Sequence, residues 1–491
     1  MDNLELKNEV KQISTQLKQS PNDDSVKTNY FWTLHKLAKA EIESSGISNA
    51  ISVVVEMSKY QLKSPMGFNS TGWAIYKILK LIVQDQNLHN QHQNSIPILV
   101  KALETIEIDN SSHLYSTLFW VLNKLAESNS LWFLSFIKSH GLEKFSPDDY
   151  KPNEYKGKKL NSLALSVHLK AAKIIENLTD GKLLSVNWFF PFLDRILEKY
   201  PYEIWLNYHK SKFYIIQGEF EKARRLIFNI MKKKDREFWL WHLLGETYEN
   251  MDDEKALSCF SKGLLLGGKP EMLLGIKLSA AKLQLKLGYY TEARAELEVI
   301  KKIREDKKWK IPDEIKRLLN NEYVRKADQK KDLVSFYTEK AASITNILIE
   351  QYPKQNGIIT NILEDKHWAF IGLELNKTAR YILNKNDNFK IGDIVSVRIV
   401  ENMINGEKKY DVKRMEKIES QISFDFIKEV KGHVKSFEGK NFGFIDDIFI
   451  PPPLMLANNL ADKSLIEGIA LLEFNKVKKV NSWKMITVSK K

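Results

Sequence analysis

The sequence predicts a chain that is helical first and β-rich last: an all-α helical-repeat solenoid followed by two small β-barrels. Three observations carry this reading. Glycine and proline are scarce, 21 and 13 of 491 residues, or about 7% together where ordinary chains carry roughly 12%. Nine of the eleven tryptophans precede residue 350, whereas the part from 351 onward holds eight of the glycines and alternates apolar with polar residues, as in Asp393-Ile394-Val395-Ser396-Val397-Arg398-Ile399. Such alternation suits a strand, whose successive side chains point to opposite faces. Finally, the helical part repeats itself at intervals of 33 to 47 residues. Collagen-like, linker-like and turn-rich all-β chains are excluded, and 43% apolar residues suffice for real cores.

The formal charge of +13 is compatible with a polyanionic partner, but it is spread thinly, with 52 Lys and Arg against 44 Asp and Glu before residue 351 and 23 against 18 after it. A lone cysteine, Cys259, offers neither an intramolecular disulfide nor a thiolate metal cluster, so a reducing, cytoplasmic setting is expected. The start, Met1 to Glu5, lacks the basic and apolar regions of a signal peptide, and no apolar run approaches the roughly 20 residues of a membrane span, so no membrane association is expected.

Residues 1–146 form a Trp-rich helical block in which a Trp-x-x-x-Lys-Leu/Ile phrase occurs three times: Trp32 to Lys36, Trp73 to Lys77 and Trp120 to Lys124. Residues four apart share a helix face, so each tryptophan can pack between helices with the lysine stem along its edge. The alternative is a row of lysines along a groove. A loop follows at 147–160, signalled by Ser146-Pro147-Asp148-Asp149 and by Pro152 and Gly157.

Residues 161–351 hold three alignable helix-turn-helix units. One carries Trp241, Leu244, Gly245 and Tyr248 on its first helix and Ala256, Phe260 and Gly263 on its second, with Pro270 at the exit. Its neighbours supply Tyr214, Gly218-Glu219-Phe220, Ala223 and Ile227 before it, and Ala281, Gly288-Tyr289-Tyr290, Ala293 and Leu297 after it. A fourth, degenerate unit uses Leu333, Tyr337 and Ala341, and a long amphipathic helix through Ile344, Ile347 and Leu348 runs up to a boundary at Tyr352-Pro353. These units resemble tetratricopeptide repeats. The resemblance implies a concave surface that binds a peptide or another protein.

The segment from Gly432 to Pro451 contains Lys440-Asn441-Phe442-Gly443-Phe444-Ile445 and Asp447-Ile448-Phe449-Ile450-Pro451. It resembles the cold-shock family of OB folds, whose two nucleic-acid motifs these stretches match, and a five-stranded barrel over 428–491 is expected. Phe442 and Phe444, two apart on a strand, face the same side with Gly443 inward between them. Exposed rings can stack bases at roughly 1–3 kcal/mol each. Phe449 extends the platform, and Lys435 and Lys440 would meet phosphates. Ser436 stands where the family carries an exposed tryptophan, and Pro451 replaces the second motif's histidine. A barrel kept for packing or protein contacts is the other reading.

A degenerate copy precedes it at 357–418, where Lys366-His367-Trp368-Ala369-Phe370-Ile371 occupies the first motif and Tyr381 falls at the second motif's aromatic. Trp368 and Phe370 repeat the two-residue spacing, and Asn405-Gly406 suits a type I′ turn. The whole order of segments resembles accessory proteins of bacterial TOTE conflict systems, which implies a role in defence against phage or mobile elements.

Chemistry-bearing motifs are weak. Gly263 to Lys269 has P-loop spacing, but Pro270 replaces the magnesium-holding hydroxyl and no strand is expected before it. His89 and His92 lack carboxylate or thiol companions, and Asp148-Asp149, Asp252-Asp253 and Asp446-Asp447 lack a partner base. No catalytic residue, metal or cofactor is expected. The expected function is a non-enzymatic adaptor: a protein partner docks on the solenoid, and the barrels hold single-stranded RNA or DNA. A purely protein-binding scaffold is the alternative.

Overall fold

The computed structural model describes all residues except 1–2, 109–112, 180–185, 250, 331, 345, 385–386, 405–406, 420–421 and 476–478. It divides into two compact units, residues 1–289 with 300–311, and residues 290–299 with 312–491.

The first unit is a succession of helical hairpins, among them Asp24–Glu43 with Ile47–Lys59, Ile204–Ile216 with Phe220–Lys234, and Phe238–Glu246 with Asp253–Leu266. Local chemistry sets the starts. Asp23 Oδ1 accepts the backbone N–H groups of Ser25 at 2.9 Å and Val26 at 3.2 Å, and Pro65 occupies a first helical turn where its missing N–H costs nothing. Glycine sets two of the turns. Gly218 (φ 75°) and Gly288 (φ 85°) stand in the left-handed region, and the next residue's N–H returns to the carbonyl five residues back, Glu219 to Tyr214 and Tyr289 to Gln284, each at 2.8 Å.

Close crossing explains the small residues. A Cβ at Gly245 would fall 2.2 Å from the Phe260 ring, and Ala223 and Ala256 are fully buried. Tyr248 lies in the turn beyond Phe238–Glu246 rather than on that helix, under the Arg224 guanidinium at 4.8 Å. Trp32 and Trp73 are partly buried, but Trp120 is 39% exposed and does not pack between helices as the repeated phrase suggests. Lys36, Lys77 and Lys124 are all exposed.

Residues 147–160 are more than a loop. They contain a short 3-10 turn, Pro147–Tyr150, and two paired strands, β1 (Asn153–Tyr155) and β2 (Lys158–Leu160), joined through Lys156 (φ 51°) and Gly157 (φ 73°). Nor do they separate two cores, since one hydrophobic core runs from Ala38 to Phe213, with Phe145 buried in it and Tyr150 packed against it. Ser116 donates to Asp149 at 2.6 Å, and Tyr200 donates to the Tyr150 carbonyl at 2.6 Å, so the root of the hairpin is tied down.

In the second unit two short helices, Val334–Ala342 and Ile347–Glu350, replace the single long helix expected there. Tyr337 donates its hydroxyl to the Glu296 carboxylate, and Leu333, Tyr337 and Ala341 are buried. Glu350 accepts from Arg398 at 2.8 Å and Arg414 at 2.9 Å, linking the last helix to the barrel that follows.

That barrel is closed, in the order β3 (Lys354–Leu363), β4 (Trp368–Glu374), β5 (Lys377–Ile382), β7 (Glu407–Lys417), β6 (Ile394–Ile404). Its strands begin three residues earlier than Gly357. The Asn405-Gly406 turn lies outside the described residues.

The C-terminal sheet has six strands rather than five: β8 (Ile427–His433), β9 (Lys435–Ser436), β10 (Gly443–Ile445), β11 (Ile448–Ile450), β12 (Leu465–Asn475) and β13 (Val480–Lys490), ordered β8-β12-β13-β11-β10-β9. The extra strand comes from a break at Val434, whose N–H goes to the Ser464 carbonyl at 2.9 Å and whose carbonyl accepts from Lys463 at 2.7 Å instead of joining a ladder. Counting β8 and β9 as one bent strand, both sheets run first-second-third-fifth-fourth-first, with the third and fifth strands parallel. This is the OB order.

Candidate nucleic-acid interface

Strand alternation sorts the C-terminal motif. Gly443, Ile445, Ile448 and Ile450 are buried, while Phe442, Phe444 and Phe449 are half-buried on the other face. Register pairs Phe444 with Phe449, at 5.6 Å between ring centroids. Phe442 stands 5.9 Å from Phe444 and 5.7 Å from Phe449, so the three rings form one cluster. Gly443 is required inside, since a Cβ there would meet Val434 at 3.0 Å and the Lys435 carbonyl and Met455 sulfur at 3.2 Å.

A fourth ring joins them. Phe437 is 44% exposed and 6.2 Å from both Phe442 and Phe444. Its signal was present in the sequence, two residues beyond Lys435 on the same face. Lys435 pairs with Phe444, which puts Phe437 toward Phe442, while Ser436 pairs with Gly443 and bonds through its N–H to Asp462 at 3.1 Å. Thus the ring absent at Ser436 is partly replaced by its neighbour.

Lys435 lies 6.0 Å over the Phe437 ring, and Lys440 closes the turn after Phe437, its N–H 3.0 Å from that carbonyl. Both are exposed, and neither has an ion-pair partner among the described residues. Pro451 caps the helix Pro452–Ala457, so the triple proline ends β11 and starts a helix where the family's histidine would stand.

In the closed barrel, Trp368 pairs with Ile382 and Phe370 with Arg380, on the outer face. The two rings meet edge-on at 6.4 Å. Trp368 carries the Arg380 guanidinium 4.8 Å from its centroid and the Lys366 ammonium at 5.7 Å. Arg380 is anchored in turn, donating to Asp411 Oδ1 from Nε at 3.1 Å and Nη2 at 2.9 Å, while Asn402 donates to the other carboxylate oxygen at 2.8 Å.

Tyr381 does not join this face. It pairs with Ala369, which is fully buried, and so turns inward, packing against the barrel core and edge-on to Phe389 at 6.2 Å. Burial, with the Asp387 carboxylate beside it, pushes its phenol above the ordinary value. The expected match to the second motif's aromatic fails because the register sets Tyr381 one residue out of phase with Trp368 and Phe370.

The P-loop-like stretch is the end of the helix Asp253–Leu266, closed by Gly267 (φ 73°). Cys259 is buried, and burial pushes its thiol up. Among the described residues no three His, Cys, Asp or Glu side chains are grouped to hold a metal ion, and no helix is long and apolar enough to cross a membrane.

Comparison with known families adds two matches. Residues 204–343 match a model described as "Domain of unknown function (DUF7017)", which covers the helices from Ile204 to Ala342. No curated protein matches the chain. Residues 428–488 match the "S1/CSD-like domain 2 of the TOTE conflict systems", so the six-stranded sheet bearing the four phenylalanines is similar to an S1/CSD-like domain of those systems.

Proposed function

We propose that the chain is a non-enzymatic adaptor, acting in a defence-related context, which holds single-stranded RNA or DNA on its C-terminal sheet and docks a protein partner on tetratricopeptide-like helical hairpins. The observation that carries the nucleic-acid half is the cluster of Phe437, Phe442, Phe444 and Phe449 on the outer face of the sheet, beside Lys435 and Lys440, which have no ion-pair partner among the described residues. Half-exposed rings within one cluster suit base stacking, which tolerates any sequence because every base has a π-face. The lysines add salt-sensitive phosphate contacts.

The test is a titration of a labelled mixed-sequence single strand, as RNA and as DNA, with the full chain at two salt concentrations. Binding that weakens with salt and collapses on Phe442→Ala with Phe444→Ala supports the reading; absence of binding to either strand overturns it. For the docking half, a co-expressed protein should stay with the full chain when those phenylalanines are replaced and leave on charge reversal along the helices. A second reading, a scaffold without nucleic-acid affinity, is favoured by Ser436 and Pro451 in place of the family's aromatic and histidine.

A further inference from the structure

A concave cavity of about 630 Å³ opens in the helical unit between the helices Leu114–Leu125, Leu163–Thr179 and Ile204–Ile216. One wall is aromatic. Trp205 is 48% exposed and stacks on Trp239 at 5.1 Å and 22°, with Tyr208 edge-on to Trp239 at 5.3 Å. A ring that large left half in water by a packed helix is available to something else.

Elsewhere the lining is cationic. Lys170 donates to the Ala126 carbonyl at 2.8 Å, and Lys173 is exposed with no ion-pair partner among the described residues. Burial, then the nearby Lys173 and Lys124 ammoniums, lower the Lys170 pKa against a smaller opposing pull from the Glu127 carboxylate, so cations outweigh anions beside Lys170. Lys124 belongs to the repeated Trp-x-x-x-Lys phrase. Among the described lining residues the one carboxylate, Glu176, is already engaged by His209 at 2.6 Å and Lys212 at 2.8 Å. Burial opposes its charge, but those two bonds prevail and bring its pKa down to about 2.

We propose that this cavity seats an acidic peptide segment of the docked protein: a carboxylate against Lys170 and Lys173, and an aromatic or aliphatic side chain against Trp205 and Leu169. The assignment rests on the docking half of the proposed function and gives it a place and a chemistry. A nucleic-acid strand brings negative charge too, so single-stranded RNA is the competing ligand in the experiment.

The experiment selects from a random dodecapeptide display library with the full chain, then measures a fluorescein-labelled copy of the enriched peptide by anisotropy. The expected result is enrichment of Asp and Glu around an aromatic or leucine, with binding weakened roughly tenfold by Lys173→Glu, by Trp205→Ala, and by Asn and Gln in place of the peptide's acids. Lys11→Glu, on an exposed position of another helix, should leave binding within about twofold. Circular dichroism separates lost binding from lost fold, and Lys173 has no ion-pair partner among the described residues to lose.

Neutral or basic consensus peptides, or acidic ones indifferent to Lys173→Glu, overturn the cavity assignment and leave docking on the helices standing. A single-stranded RNA that binds more tightly than the peptide and is lost with Lys173→Glu overturns it in favour of nucleic acid. If no peptide is enriched the cavity assignment falls, and docking falls with it only if the co-expressed partner also fails to stay.

Discussion

The two C-terminal barrels share one strand order and use their outer faces in opposite ways. In the closed barrel the Trp368 face is already occupied: Arg380 lies over it, Asp411 holds Arg380, and Asn402 holds Asp411. In the C-terminal sheet four phenylalanines form one cluster, and Lys435, a cation near them, sits 6.0 Å from the Phe437 ring with no anchoring carboxylate among the described residues. A base stacking on Trp368 must displace a cation–π contact of about 0.5–2 kcal/mol, whereas a base on Phe442 displaces water. Regular closure and an available face are therefore separate properties, and the more regular barrel has the less available one.

The largest expected effects test whether both sheets are equally close-packed. A Cβ at Gly468 would fall 2.0 Å from the Thr487 carbonyl oxygen, and one at Gly357 would fall 2.8 Å from the Gly372 carbonyl oxygen and 2.5 Å from Ile371. Gly468→Ala and Gly357→Ala should each cost about 3 kcal/mol, since backbone cannot yield as a side chain does. Hydrogen exchange followed along a denaturant series should show each loss confined to its own sheet, 427–490 for the first variant and 354–417 for the second. Next comes binding. Phe442→Ala with Phe444→Ala should weaken single-strand affinity about 100-fold, while Trp368→Ala with Phe370→Ala changes it less than about threefold. Equal losses would erase the contrast between the barrels. Phe437→Ala should cost roughly tenfold by itself, measured in the same titration. The smallest effect sharpens the comparison from the other side: Asp411→Ala releases Arg380, lowers stability by about 0.5–1 kcal/mol, and should raise affinity about twofold at low salt.

Much of this was legible in the sequence, for identifiable reasons. Period-two alternation at Phe442, Gly443 and Phe444 fixed which side each residue takes, and the structure places them so. The inward turn of Tyr381 was not legible, because it depends on a register set by pairing with Ala369, and motif matching carries no register. The anchoring of Arg380 was hidden for a similar reason: Asp411 is 31 residues away and reaches it only through the parallel pairing of β5 with β7. Phe437 stands beside the conspicuous change at Ser436, and spacing alone puts it on the face of Lys435. In the helical part, Gly245 and Ala256 could be read as crossing points from their size, while the continuity of the core past Phe145 required contacts far apart in sequence, such as Tyr200 with Tyr150.

Past the break at Val434, Phe444 and Phe449 lie on the least-bonded strands of their sheet, with Phe437 and Phe442 in the residues that flank them. β9 pairs with β10 through two residues and β11 meets β13 at one, Phe449 with Lys484, whereas β12 and β13 share ten. Short ladders open more cheaply than long ones. Amide protons of 443–450 should therefore exchange with solvent faster than those of 466–472. A strand of bases laid across Phe437, Phe442, Phe444 and Phe449 would bridge that seam, so the ligand would act as the missing ladder, and its grip would be readable as slowed exchange at residues it never touches.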